Sequence, residues 1–95
     1  MKTINFYDYL DMIDCSLEVH RYANQNERWT AQIENCEVKE GVILMGVYGN
    51  ADSPTKAISD YVKKIRGKRI VINAGSPEHR REFNMSEYIF YLGEK

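Results

Sequence analysis

GVYGNADSPTKAISDYVKKIRG, residues 46–67, reads as a strand end, a Gly-containing loop and a helix stopped by glycine. Ser53 is an N-cap residue type, and Pro54 suits the first helical position, where a missing N–H leaves nothing unpaired. Gly67 suits the left-handed residue that ends a helix. Between these signals Ala57, Ile58, Tyr61, Val62 and Ile65 recur on one helical face, whereas Lys56, Asp60, Lys63 and Lys64 fall elsewhere. The apolar face is expected to meet a sheet. Gly46 and Gly49 mark points where a strand bends or the chain takes up positive φ.

Outward from this helix, the preceding chain reads as strands. Trp29, Ala31 and Ile33 alternate with Arg28, Thr30, Gln32 and Glu34, the pattern of a half-buried strand with Trp29 anchoring the core. Leu17 and Val19 alternate with Glu18 and His20 in an earlier strand that runs to about Tyr22, and Asn24–Glu27 forms the turn between the two. A third strand covers Cys36–Lys39, a turn at Glu40-Gly41, and Val42–Tyr48, with an irregularity before its more apolar part. Asn5 caps a first helix with Phe6, Tyr9, Leu10 and Ile13 on its apolar stripe, and Asp8 and Asp11 make its outer face acidic. After the central helix, Ile70–Ile72 is a short apolar strand covered on both sides or lying at a sheet edge. The alternation in Arg81–Met85 and the aromatic run Tyr88–Leu92 add at least one more strand. The expected fold is a single α+β domain of order α-β-β-β-α-β(-β). Its antiparallel sheet is a three-strand meander plus one or two C-terminal strands, with both helices on one face.

Composition narrows the function classes. Ninety-five residues make one domain, small enough that an elaborate buried active site would compete with the core for volume. A net charge of -1 is not that of a strongly basic nucleic-acid binder, so partner choice rests on local patches. Cys15 and Cys36, without CxxC spacing, read first as free, partly buried thiols of a reducing compartment, with a disulfide between them as the alternative. No apolar run approaches the roughly 20 residues a membrane span needs, and a cytoplasmic, membrane-free protein is expected.

No catalytic or metal-ligating constellation stands out. His20 and His79 lack partners at metal spacing, and the charges around His79 read as a solvated turn. Cys36 has no base near it in sequence. We therefore expect no enzyme, no cofactor and no metal. Gly46–Ser53 reads as a strand-to-helix turn or as a helix N-terminus open to an anion, although it lacks the Lys and Ser/Thr of a P-loop. Lys56, Lys63, Lys64, Arg66, Lys68 and Arg69 form a basic group that suits phosphates or completes a helix end. Tyr88, Phe90 and Tyr91 pack at home or offer an apolar interface, and a strand there would provide an edge for a homodimer.

The order from residue 5 to residue 67, with its glycine-bearing loop before the second helix, resembles the double-stranded RNA-binding domain and the HicB-type antitoxin core. That resemblance implies phosphate contacts from the first helix, the first hairpin loop and lysines at the start of the second helix. The chain departs from it in the acidic Asp8 and Asp11 and in having only Lys56 near the second helix start. Trp29, Ala31, Gly46, Gly49, Ser53-Pro54, Ala57-Ile58, Tyr61, Ile65 and Gly67-Lys68 together resemble small uncharacterised proteins of phages infecting Gram-positive bacteria. This resemblance implies a phage-type accessory factor in the host cytoplasm, such as an inhibitor of host defence. The lack of a catalytic constellation, the segregated acidic face of Asp8 and Asp11 and basic group, and the aromatic tail point to a non-enzymatic protein that acts by binding a protein partner. The alternative is a nucleic-acid-binding module.

Overall fold

The computed structural model describes residues 3–22 and 28–91. The turn expected at Asn24–Glu27 lies outside them apart from its flanking strands, as does Leu92. The described chain is α+β in the order β1 (Ile4–Asn5), α1 (Phe6–Ile13), β2 (Leu17–Tyr22), β3 (Arg28–Ile33), β4 (Cys36–Glu40), β5 (Ile43–Met45), β6 (Gly49–Ala51), α2 (Pro54–Ile65), β7 (Arg69–Ile72), β8 (Arg81–Asn84) and β9 (Ile89–Phe90).

Both helices begin where local chemistry places them. Asn5 Oδ1 accepts from Tyr7 N–H at 2.9 Å at the start of α1, and Ser53 Oγ accepts from Lys56 N–H at 3.2 Å at the start of α2. Gly67 follows α2 at φ 68, the left-handed geometry expected of it. The last turn of α1 carries no cation, and Arg81 from β8 supplies one: its guanidinium donates to the carbonyls of Ile13 at 2.6 Å and Asp14 at 3.3 Å.

The sheet is antiparallel as expected, but Cys36–Tyr48 is not a single third strand beside β3: it folds back on itself as the β4-β5 hairpin. β3 and β4 are separated by a turn at Glu34-Asn35, where Asn35 takes φ 56, and lie in different ladders. β6 pairs with β3 and β5 with β4, both antiparallel. β2 and β7 pair with β3 and β4 respectively, and β8 pairs with β7. The result is two antiparallel ladders, β2-β3-β6 and β5-β4-β7-β8. β7 lies inside the second, with Ile70, Val71 and Ile72 buried as expected of a strand covered on both faces.

Three expectations need correction. The strand expected over Val42–Tyr48 ends at Met45, and part of the expected loop Gly46–Ser53 is instead β6. Gly46 and Gly49 bracket this interruption of the strand, the first of the two alternatives they offered, and neither adopts positive φ. Gly49 is required by close approach, since a Cβ there would lie 2.6 Å from the Tyr61 amide nitrogen and nearer still to the Ala57 carbonyl oxygen. Trp29 is half-buried at the margin of the core, and the largest fully buried side chain is Tyr61. The Tyr61 hydroxyl accepts from Ile33 N–H at 3.0 Å, and its ring meets Phe6 edge-on at 6.3 Å. This contact joins α2, β3 and α1 in one hydrophobic cluster that also takes in Val38, Ile70, Ile72, Met85 and Ile89.

The C-terminal aromatic run closes the fold. β9 pairs in parallel with β1, Ile4 opposite Ile89 and Asn5 opposite Phe90. Arg66 Nε donates to the Ile89 carbonyl at 2.8 Å and so fastens the end of α2 to β9.

Candidate functional site

The register of β2, β3 and β6 sorts their side chains into two sets. Leu17, Val19, Trp29, Ala31, Ile33, Gly49 and Ala51 share the face turned to α2. Glu18, His20, Tyr22, Arg28, Thr30, Gln32 and Asn50 share the opposite face, because cross-strand partners point the same way and successive residues alternate. On that second face no side chain is fully buried: Glu18, Arg28, Thr30 and Gln32 are half-buried, and His20, Tyr22 and Asn50 are exposed. His20, Tyr22, Arg28, Thr30, Gln32 and Asn50, joined by Tyr48 from the segment between β5 and β6, line a shallow concavity of about 370 Å³.

Its groups are held in place by a chain of polar contacts. Arg28 Nε donates to Asn50 Oδ1 at 3.0 Å, so the guanidinium is fixed across the β3–β6 pair. Asn50 N–H donates to Asp60 Oδ2 at 2.9 Å, and Lys64 Nζ meets the same oxygen at 2.9 Å while also donating to the Tyr48 carbonyl at 3.1 Å. Burial alone would raise the Asp60 pKa; the Lys64 ammonium and the Asn50 N–H outweigh it and lower it below the ordinary carboxylate value. At one end His20 Nε2 lies 3.1 Å from Glu18 Oε2. Tyr22 and Tyr48 keep their rings half in solvent, at 48% and 50% exposure. The face therefore offers two aromatic surfaces, a positioned guanidinium and a set of amide and hydroxyl groups. It can recognise a surface by stacking and hydrogen bonding, with little net charge to do so by Coulombic attraction.

The residues singled out from sequence lie elsewhere. Asp8 and Asp11 are exposed on α1, as the helical pattern requires. The basic group is divided among several ion pairs. Lys56 meets Asp52 at 3.5 Å, Lys64 meets Asp60, Lys68 meets Glu40 at 3.5 Å, and Arg69 Nε donates to Glu82 at 2.8 Å. Arg66 is half-buried on the Ile89 carbonyl, and Lys63 is exposed on α2. Tyr91 is buried, with its hydroxyl 3.4 Å from that of Tyr7; burial and then this neighbour push the Tyr7 pKa up to about 12. Phe90 is half-buried and Tyr88 remains exposed.

The thiols and the second histidine are placed with equal clarity. Cys36 is buried, and desolvation pushes its pKa up to about 11, so it carries its proton at neutral pH. Burial also raises the Cys15 pKa against the opposing pull of Arg81, whose Nη2 lies 3.4 Å from its sulfur. His79 is exposed in the turn before β8. Among the described residues no three His, Cys, Asp or Glu side chains converge as a metal site would require, and no helix is long and apolar enough to cross a membrane.

The concave face carries no charge cluster that would mark it in the sequence. Its signal was present in the alternation of β2 and β3, which already set Glu18, His20, Arg28, Thr30 and Gln32 on one side. Tyr48 and Asn50 join them only through the register of β6. The chain matches no protein-family profile, no curated protein and no solved structure.

Proposed function

We propose that this chain is a binding protein that acts by occupying a protein partner through the open face of the β2-β3-β6 ladder. The observation that carries the proposal is the concavity in which Tyr22 of β2, Arg28 of β3 and Tyr48 from the segment between β5 and β6 stand together. Tyr and Arg are among the residue types that most often dominate protein interfaces: Tyr supplies a large, amphipathic contact area at low entropic cost, and Arg a planar guanidinium with several donors. The role follows that of a phage-type accessory factor, such as an inhibitor of host defence, in line with the resemblance noted above.

A nucleic-acid module is the second reading, favoured by the same aromatic rings, which would accept stacked bases. Phosphate binding by the basic group would have to compete with carboxylates already beside Lys56, Lys64, Lys68 and Arg69, which is why a protein partner is placed first.

The test is affinity capture from a Gram-positive bacterial lysate with and without nuclease, using wild type and an Arg28→Ala/Tyr48→Ala variant. A stoichiometric protein that survives nuclease and is lost with the variant is the expected result. Recovery that disappears with nuclease, together with salt-sensitive gel retardation of RNA or DNA, would install the second reading. A protein retained equally by the variant would remove the concave face from the account.

A further inference from the structure

Sheet edges are normally shielded by charge, by proline, by a bulge or by a covering element, because their free N–H and C=O groups accept any strand. Three long-ladder edges of this fold are shielded. β2 carries Glu18, His20 and Arg21, and β8 carries Arg81 and Glu82. The edge at β6 lies under α2, where Asp60 takes the Asn50 N–H and Lys64 takes the Tyr48 carbonyl. β5 is the outer strand of its ladder, and residues 42–48, Val-Ile-Leu-Met-Gly-Val-Tyr, contain no charge and no proline. Val42, Ile43 and Met45 are 95%, 61% and 37% exposed.

We propose that β5 pairs antiparallel with β5 of a second copy of this chain, about a two-fold axis through Leu44. The hairpin geometry determines which backbone groups are available. Glu40 and Ile43 flank the two-residue turn Gly41-Val42, with Gly41 at φ 61. That geometry turns the N–H and C=O of Ile43 and Met45 toward β4 and those of Leu44 outward. Centring the pair on Leu44 lets the two Leu44 residues exchange both backbone hydrogen bonds. It also sets Ile43 beside Met45 of the second copy, and Val42 beside Gly46.

The side chains match on both faces. Met45 stands opposite Val38, which is in turn opposite Ile70, so Ile43 and Met45 lie on the core face of the ladder and extend it past the edge. A two-fold perpendicular to the sheet joins the two copies' core faces through four apolar side chains and places Leu44 against Leu44 on the other face. A second copy is the occupant because the segment is its own complement: it sets Ile43 beside Met45 and Leu44 beside Leu44, with no like charge across the axis. The paired residues Val42–Gly46 include none of those lining the concave face, so either proposal can fail without the other.

The test is light scattering and sedimentation of the full chain over a range of concentrations. Wild type is expected at twice the chain mass at high concentration, and Leu44→Lys at the chain mass with an unchanged circular dichroism spectrum. In case Leu44→Lys does not fold, Leu44→Cys supplies an independent readout. Cα atoms of a hydrogen-bonded antiparallel pair lie about 5.5 Å apart, within disulfide range, so mild oxidation should yield a covalent dimer on non-reducing gels. Met12→Cys, exposed on α1, should yield none. A wild type that stays monomeric at every concentration, a Leu44→Lys variant that still dimerises, or a Leu44→Cys variant that cross-links no faster than Met12→Cys would overturn the proposal.

Discussion

Two residues at the centre of the molecule set its tolerance to change. Gly49 lies against the backbone of α2 at Ala57 and Tyr61, where a methyl group has no room. Gly49→Ala is expected to destabilise by about 1–3 kcal/mol, the usual range for overpacking, or more if α2 shifts. Urea unfolding would measure this, and an unchanged midpoint would refute the close approach. Tyr61 contributes in a different way, because its hydroxyl is the acceptor for the buried Ile33 N–H. Tyr61→Phe keeps the ring against Phe6 and strands that donor, which costs about 1–3 kcal/mol. The sequence placed Tyr61 on the apolar face of a helix, but nothing in its spacing distinguished it from Val62 as the residue reaching across to β3. Conversely Trp29, the obvious anchor by size, lies at the margin because Ala31 and Ile33 already fill the space under α2.

At the scale of elements, helices were legible and strand breaks were not. Ser53, Pro54 and Gly67 specify α2 through bonds within a turn of themselves, and Asn5 does the same for α1. The break between β5 and β6 depends on α2 crossing at Gly49, and the parallel β1-β9 pair joins residues at opposite ends of the chain, so neither leaves a local signature. The concave face was half legible for the same reason: parity along β2 and β3 shows in the sequence, whereas the register that adds Asn50 does not.

The outer face of β4, β7 and β8 carries its own pH dependence. Glu82 accepts from Arg69 Nε at 2.8 Å and Arg80 Nη2 at 2.9 Å, with Lys39 Nζ at 3.5 Å. The Arg69 and Arg80 hydrogen bonds are the main reason its pKa falls from 4.5 to about 2. A carboxyl depressed on folding stabilises the native state above its unfolded pKa, and that contribution is lost as pH falls through the folded value. Wild type should therefore lose stability between about pH 4.5 and pH 2 relative to Glu82→Gln. The two melting curves should differ at pH 7 and converge near pH 2; a constant difference would show that the network does not act through this carboxylate.

For the molecule as a whole, the first and last strands act as a closure. β1 and β9 are two residues each, and they hold because Ile89 is buried, Arg66 grips its carbonyl and Tyr91 lies against Tyr7 with ring centroids 5.5 Å apart. Removing residues 88–95 should lower stability by several kcal/mol, since it empties the sites of Ile89 and Tyr91 as large-to-small core changes do. Thermal unfolding of the truncated chain checks this, and an unaltered transition would mean that the C-terminal run is not part of the core. With that run engaged internally, two features among the described residues stand out for partners: the polar-aromatic concavity of one ladder and the uncharged β5 edge of the other.

The most direct measurement of the central claim is calorimetric titration of the captured partner with three variants of the chain. Arg28→Ala/Tyr48→Ala is predicted to weaken binding by about 2 kcal/mol or more, roughly 30-fold, as loss of interface anchors does. Lys63→Glu and Asp8→Lys/Asp11→Lys should retain affinity within a few-fold. Full affinity in the first variant, with loss in either of the others, would contradict the account and move the binding surface to the helices.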